Sequence, residues 1–340
     1  MTLSCNAVFE GGGVKGVAIA GAVLGMEKAG YTFSNLAGTS AGAIVAALLS
    51  AGYSGKEIHN LLSNLNYKKF RDKSYFCGLM GKAVTLTLKY GLYPGDYFTN
   101  WLDDLLKAKG VRTFGDIKQP NAKLDKYTYK FQAIASDISS QRLLVLPSDL
   151  KYFGINPDKF SISQAVRMSM SIPLLFVPFK LKDIKGNIHL IVDGAVLSNY
   201  PVWLLDDDTL NPKQPTFGFK LLEADNNITW QCNKIQITGL YDYLKKLLNT
   251  MLEAHDNYYS AHAKGDVART IAIPTTVNLP GETPKNISAI DFDITFQESV
   301  ALFNNGFNAA TTFLRTWDFE IWKNNYRELL RNRSQKYPPV

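Results

Sequence analysis

The stretch Asn35-Leu36-Ala37-Gly38-Thr39-Ser40-Ala41-Gly42-Ala43-Ile44-Val45 changes character at its middle. Asn35 to Gly38 predicts a short strand. Ala41 to Ala51, built from Ala, Leu, Ile and Val, predicts a helix that Gly52 stops. Between them Gly38-Thr39-Ser40-Ala41-Gly42 fits G-x-S-x-G. That pattern makes a sharp strand-to-helix turn, with the serine hydroxyl at the top of the sheet and the helix N–H groups aimed at it. Small neighbours let the chain fold back so tightly. A serine in such a turn is a candidate nucleophile; a merely buried serine in a tight turn is the other reading.

Working outward, Cys5 to Glu10 is a β-prone run ending in Gly11-Gly12-Gly13, and Val14 to Ala29 reads as a helix stopped by Gly30. The first 52 residues therefore read strand, glycine loop, helix, strand, tight turn, helix. This alternation predicts an α/β fold with a parallel-rich central sheet flanked by helices. Residues 53–125 are mostly helical in pattern, broken at Gly78, Gly81, Pro94 and Gly95. Strands are predicted at Tyr127–Ala135, Leu143–Leu146, His189–Val192, Thr216–Leu222 and Thr270–Ile273. Helices are predicted at Ile162–Ser171, Leu240–Lys264 and Ser299–Trp317. The Pro/Gly-rich stretch from Leu279 to Pro284 suggests a boundary, dividing a domain at 5–278 from a C-terminal helical segment at 285–340 packed on the same domain.

Gly11-Gly12-Gly13-Val14-Lys15-Gly16 lies between a strand and a helix. Without side chains, its amides can approach an oxyanion closely. Gly11, Gly13 and Gly16 also satisfy the dinucleotide pattern G-x-G-x-x-G. That pattern needs an acidic residue about 20 positions on, and none occurs between Glu27 and Glu57. No G-K-[ST] follows, which excludes a P-loop. The third piece is Asp193-Gly194-Ala195, after His189-Leu190-Ile191-Val192. An aspartate there can reach a serine as a general base, or can simply cap its own turn.

The three pieces together, in this order and context, resemble the patatin-like phospholipase family. Ala165-Val166-Arg167-Met168-Ser169-Met170-Ser171-Ile172-Pro173 and Ala135-Ser136-Asp137 add to the likeness, which spans residues 5 to about 205. The resemblance implies a patatin-like α/β/α sandwich. It implies a Ser-Asp dyad of Ser40 and Asp193, an oxyanion hole from Gly11, Gly12 and Gly13, and hydrolysis of phospholipid or another lipid ester through an acyl-enzyme. It implies no metal and no cofactor. Lys15, Gly16, Gly38, Gly42, Gly194 and Ala195 are the supporting motif positions. Lys15 reads as a solvated first-turn lysine. Some bacterial relatives are effectors switched on by a partner or small molecule, so a small-molecule or protein activator, or a regulated binding module, stands as the alternative.

A Ser-His-Asp triad is a further alternative. The four histidines are His59, His189, His255 and His262. Ser40, Asp193 and then His255 or His262 is formally the α/β-hydrolase order. His255 continues the apolar stripe of Leu244, Leu248 and Met251, which favours a packed histidine. His189, four residues before Asp193, reads as its neighbour.

Composition sets the remaining bounds. The net charge is +7 and 46% of residues are hydrophobic. The basic balance suits an anionic membrane surface or plain solubility, and no nucleic-acid motif accompanies it. The three cysteines, Cys5, Cys77 and Cys232, form no metal or redox pair, which fits a reducing cytoplasm. Neither Val17–Met26 nor Ala41–Ala51 reaches the roughly 20 residues needed to span a bilayer, which leaves peripheral membrane contact open. Phe70, Tyr75, Phe76, Leu79, Met80, Leu92 and Tyr93 belong either to a mobile cover over the site or to an ordinary helical cap.

Overall fold

The computed structural model describes residues 3–71, 78–122, 124–206, 211–223 and 264–326, with isolated positions 209 and 239. Its centre is an eight-stranded sheet. Five strands run parallel: β10 (Thr270–Pro274), β9 (Thr216–Leu222), β1 (Leu3–Phe9), β2 (Tyr31–Thr39) and β4 (Phe131–Asp137), in that spatial order. Three run antiparallel to their neighbours: β5 (Arg142–Leu146), β7 (Phe179–Lys182) and β8 (Ile188–Asp193). The parallel-rich sheet expected from the alternation is thus present, and its far side is closed by antiparallel strands.

The junction around β4 positions the site. Thr39 of β2 faces Ile134, and Asp193 of β8 faces Ala135, the next residue along. The same two residues of β4 pair with Val145 and Leu144 of β5. Since β5 holds one edge of β4, β2 and β8 must share the other, meeting end to end. Ser40 follows Thr39 directly, so this register alone brings Ser40 to Asp193.

The strands are apolar on both faces, as parallel strands covered on both sides must be. All seven residues of β4 are buried. Phe9, Leu36, Phe131 and Ala135 join the large core on one face, while Val8, Ala37 and Ile134 join Leu204 and Leu205 on the other. Helix α1 (Gly16–Lys28) is buried nearly all round, with Val17, Ile19, Val23 and Met26 in the core. It lies between the sheet and the long helix α8 (Phe296–Leu314), which follows the short α7 (Lys264–Ala268). The α1–α8 approach is backbone on backbone: a Cβ on Gly21 would sit 1.9 Å from the Phe303 carbonyl oxygen, and one on Gly306 would sit 1.8 Å from that of Ala18. Helix α2 (Ala41–Ser50) is likewise buried along its length.

Several expectations need correction. Gly81 does not break the helical pattern; it lies within helix α4 (Gly78–Lys89), which Gly78 opens. A glycine in a helix costs only about 1 kcal/mol relative to alanine. Between α3 (Gly55–Ser63) and α5 (Asp96–Ala108) the three-residue strand β3 (Gly91–Tyr93) pairs with β6 (Leu174–Phe176) in a separate small sheet. Three residues are too few to show a period. The strand predicted at Tyr127–Ala135 begins later, at Phe131, because Asp125–Tyr127 forms a 3-10 turn in which Tyr127 Oη donates to the Leu205 carbonyl at 2.7 Å. Phe70 is not part of a cover. It is buried against Phe98, Tyr97, Trp101 and Phe292. Leu92 and Tyr93 are half-buried in β3. The side chains of Tyr75, Phe76, Leu79 and Met80, and the helix expected at Leu240–Lys264, lie outside the described residues. Among the described residues no helix is long and apolar enough to cross a membrane.

The α1–α8 contact yields a test in which two effects oppose. Gly21→Ala improves helix propensity by about 1 kcal/mol. It also forces a methyl into the Phe303 carbonyl, and overpacking of this kind costs about 1–3 kcal/mol. With so short an approach the clash wins, so Gly21→Ala lowers the urea midpoint, as does Gly306→Ala.

Candidate active site

Ser40 is held at φ 51 and ψ −119, a backbone conformation that a serine adopts only at a cost of about 1–3 kcal/mol. Its surroundings over-determine it. The Ser40 N–H donates to Ser169 Oγ at 2.9 Å, and the Ser40 carbonyl accepts the N–H groups of Ala43 and Ile44. Thr39 Oγ1 donates to the Ser198 carbonyl at 3.1 Å. The turn also closes on itself. A Cβ at Gly38 would lie 2.4 Å from the Gly42 backbone, and one at Gly42 would lie 2.3 Å from the Phe9 carbonyl oxygen. Gly38 and Gly42 are therefore glycine because the returning chain and β1 leave no room for a side chain. Helix α2 starts at Ala41 with no acidic residue in its first turn, so its positive dipole end faces the serine uncompensated.

Asp193 ends β8 and is 3% exposed. Its N–H donates to the Ser171 carbonyl at 2.9 Å, and its Oδ1 accepts the Ala195 N–H at 2.9 Å. Burial pushes the carboxyl up to about 7; the Ala195 amide and a hydrogen bond with the Ser40 side chain pull the other way but do not cancel it. Gly194 packs its backbone against the Ile134 carbonyl. The pair expected from the sequence, Ser40 and Asp193, is thus brought together.

The glycine loop lies against the serine: a Cβ on Gly11 would stand 3.2 Å from Ser40 Cβ. Its amides are not equivalent. The Gly11 N–H donates to the Asn199 carbonyl at 3.2 Å and the Val14 N–H to the Ala289 carbonyl at 3.0 Å. Among the described residues the Gly12 and Gly13 N–H groups have no acceptor. Gly13 has φ +56, and the Ala289 carbonyl occupies the space a Cβ would need. Gly16 abuts Ala41, which sets the starts of α1 and α2 side by side. Lys15 is not solvated: it is buried and pairs at 2.9 Å with Oε1 of Glu223, the residue that follows β9.

The histidines are arranged otherwise than Asp193 requires. His189 Nδ1 meets Asp137 Oδ2 at 2.6 Å and its Nε2 lies 3.6 Å from Asp183, so its neighbours are those carboxylates and not Asp193. They hold its pKa above the ordinary histidine value. His59 stacks on Phe303. His255 and His262 lie outside the described residues. A groove of about 630 Å³ between α3 and α5, lined by Tyr53, Asn60, Tyr97 and Trp101 among others, contains neither Ser40 nor Asp193.

Sequence reasoning did not single out Ser169, Arg167 or Asn199. Arg167 is buried; it donates to the Pro94 and Val177 carbonyls and to Ser171 Oγ, fixing the segment that carries Ser169 and Ser171. Its stretch, Ala165 to Pro173, stood out as a resemblance, which was the available signal. Asn199, whose Nδ2 also donates to the Gly11 carbonyl at 3.3 Å, had none.

Known proteins bear on this arrangement. The family model for patatin-like phospholipase matches residues 7–206. A Bacillus subtilis (strain 168) protein, the uncharacterized YqhO, is 39% identical over 316 residues, covering 92% of this chain and 99% of its own. The chain belongs to the patatin-like phospholipase family. A protein of Invertebrate iridescent virus 6 described as the probable lipid hydrolase 463L is 26% identical over 199 residues, 57% of this chain and 61% of its own. The crystal structure of VipD from Legionella pneumophila shares the fold, with a TM-score of 0.50 at 19% identity over 92% of this chain and 67% of that one. The patatin match takes in Ser40 and Asp193 and stops before β9 and β10, which extend the same sheet.

The raised pKa of Asp193 fixes a sign for stability. The folded state keeps a proton up to about pH 7 that the unfolded chain releases near pH 4. Its stabilising contribution is therefore complete below about pH 4 and lost as pH rises to about 7. Asp193→Asn keeps an acceptor for the Ala195 amide and removes the buried anion. Thermal melts should show the variant equal to wild type near pH 4 and more stable above pH 7, by up to about 4 kcal/mol at 1.4 kcal/mol per pKa unit.

Proposed function

We propose that the protein is a lipid acyl hydrolase, of phospholipase A or esterase type, acting through a Ser40–Asp193 dyad. The observation that carries this reading is the strained Ser40 beside a buried carboxylate whose pKa is about 7. A carboxylate at that value is a competent base near neutral pH, whereas an ordinary aspartate is a weak one.

Asp193 takes the hydroxyl proton as Ser40 Oγ bonds to the ester carbonyl carbon. The carbonyl oxygen becomes an oxyanion. In this reading the Gly12 and Gly13 amides, which have no acceptor among the described residues, receive that charge with the N-terminal end of α2, and one such donor contributes about 3 kcal/mol. Gly11, its amide engaged by Asn199, shapes the loop and leaves space for the Asn199 side chain, whose Oδ1 would lie 2.2 Å from a Cβ there. Collapse of the tetrahedral adduct breaks the ester C–O bond, and Asp193 returns the proton to the leaving alkoxide. Water then attacks the acyl-enzyme with Asp193 again as base, releasing the fatty acid and restoring Ser40. Membrane phospholipid or another lipid ester is the substrate class the family membership supports.

A second reading, an enzyme switched on by an activator or by the lipid surface itself, is favoured by burial. Ser40 is 5% exposed and Asp193 3%, so an ester reaches the pair only after covering groups move.

Turnover of a short-chain ester and of phospholipid vesicles by wild type, Ser40→Ala and Asp193→Asn decides the dyad. Both variants should fall by at least about 10³-fold, the order expected when one member of a catalytic unit is removed. Equal activity in all three sinks the reading. Wild-type kcat/KM should rise with pH along a limb centred near 7, since the basic form of Asp193 acts. His255→Ala and His262→Ala should keep that turnover; its abolition in a folded variant would replace the dyad with a triad.

A further inference from the structure

Beyond the site, four exposed apolar side chains, among them the most exposed such side chain of the described residues, gather at one place. Ile184 (77% exposed) and Ile188 (59%) sit at the β7–β8 hairpin tip, Ile138 (46%) directly follows β4, and Tyr152 (67%) lies in the 3-10 turn after β5. They are neighbours in space. Ile184 packs on Gly154, two residues after Tyr152. The Ile138 N–H donates to the Leu190 carbonyl, two residues after Ile188. The hairpin tip from Lys182 to Ile188 thus carries isoleucines with no core to enter.

Around them stand Arg142, Lys151, Lys180, Lys182 and Lys185, all exposed. Among the described residues none of these five cations has an ion-pair partner. The carboxylates nearby, Asp137, Asp149 and Asp183, keep their charge but are held by hydrogen bonds within the same turns, which leaves five cations against three anions. Asp137 accepts from Ser139, Ser140 and His189, Asp149 from the Val145 N–H, and Asp183 from Lys185, Asn187 and the Asn187 amide. The tip is therefore apolar at its point and positive at its rim.

Its direction matters. Strand β8 runs from the tip to Asp193, antiparallel to β4, and Ile191 faces Asp137 at the C-terminal end of β4. The tip therefore projects past the edge of the sheet at which Ser40 sits. Five residues at about 3.3 Å each place Ile188 about 16 Å beyond Asp193.

We infer that the β7–β8 hairpin, with Tyr152 and Ile138, docks the protein on an anionic lipid bilayer and presents the Ser40 end of the sheet to it. The assignment rests on the lipid-ester reading for its direction, but the docking itself does not need turnover. Aliphatic side chains and a tyrosine enter the headgroup boundary, and the unpaired lysines meet lipid phosphates. A protein partner would need a complementary acidic face, whereas an anionic leaflet supplies both the negative charge and the apolar phase.

Co-sedimentation of the full-length chain tests this, using vesicles of phosphatidylcholine alone and of phosphatidylcholine mixed with phosphatidylglycerol. Wild type should pellet with the mixed vesicles and far less with the neutral ones. Lys182→Gln/Lys185→Gln should weaken that binding about 25-fold, or about five-fold per charge. Ile184→Asp/Ile188→Asp should weaken it further. Both double variants should keep wild-type turnover of a soluble short-chain ester, which also certifies their folding. Undiminished vesicle binding by both overturns the proposal, as does a wild-type dimer that the variants disperse with no vesicle binding in either. If wild type binds through the tip yet hydrolyses no soluble ester, the catalytic reading fails and the docking surface stands.

Discussion

The arrangement depends on one constraint: strands β2 and β8 meet on the same edge of β4, with Thr39 and Asp193 opposite consecutive residues. Neither Ser40 nor Asp193 is placed by a flexible loop. Asp193 is the last residue of a hydrogen-bonded ladder and Ser40 directly follows the last residue of another, so the backbone register sets their separation. A one-residue slip of β8 would turn Asp193 to the other face of the sheet. That register is specified by burial, because β4 is covered on both faces and cannot shift without exposing apolar residues.

The same closeness explains the concentration of small residues. At Gly38 and Gly42 a strand, a turn and a helix start occupy a volume in which backbone touches backbone. The strain stored at Ser40 persists because Ser169 accepts its N–H and Ala43 and Ile44 both donate to its carbonyl. Arg167 works one layer further out, anchoring the segment that supplies both Ser169 Oγ and the Ser171 carbonyl. Positioning thus passes from a buried guanidinium through two serines to the Ser40–Asp193 pair.

Much of this was legible in the sequence. The strand–loop–helix–strand–turn–helix order of the first 52 residues pointed to the parallel sheet, and the family resemblance carried by Gly11–Gly16, Gly38–Gly42 and Asp193–Ala195 pointed to the candidate site. What escaped has identifiable causes. Strands β3 and β6 are three residues long, below the length at which alternation shows. The fate of the Gly11 amide depends on Asn199, and the conformation of Gly13 depends on Ala289, contacts separated by 188 and 276 positions with no local periodicity to announce them. Lys15 reads as a surface residue by type. Its burial follows from Glu223, which lies beyond the span the motifs cover.

Burial of the pair acts in two opposed ways, and the opposition has a functional sense. Removing Asp193 from water raises its pKa and so costs stability at neutral pH, yet it gives the basicity that the proposed proton transfer from Ser40 would need. The Ala195 amide and the Ser40 side chain offset only part of the cost. If more hydrogen bonds satisfied the carboxylate, the protein would be more stable and the base weaker. Among the described residues the amides of Gly12 and Gly13 likewise have no acceptor, as the proposed oxyanion role requires. A site so closed is suited to a substrate delivered from an apolar phase rather than from solution, which is why the unpaired charges and uncovered isoleucines at the same end of the sheet belong to the one physical problem that the buried pair poses.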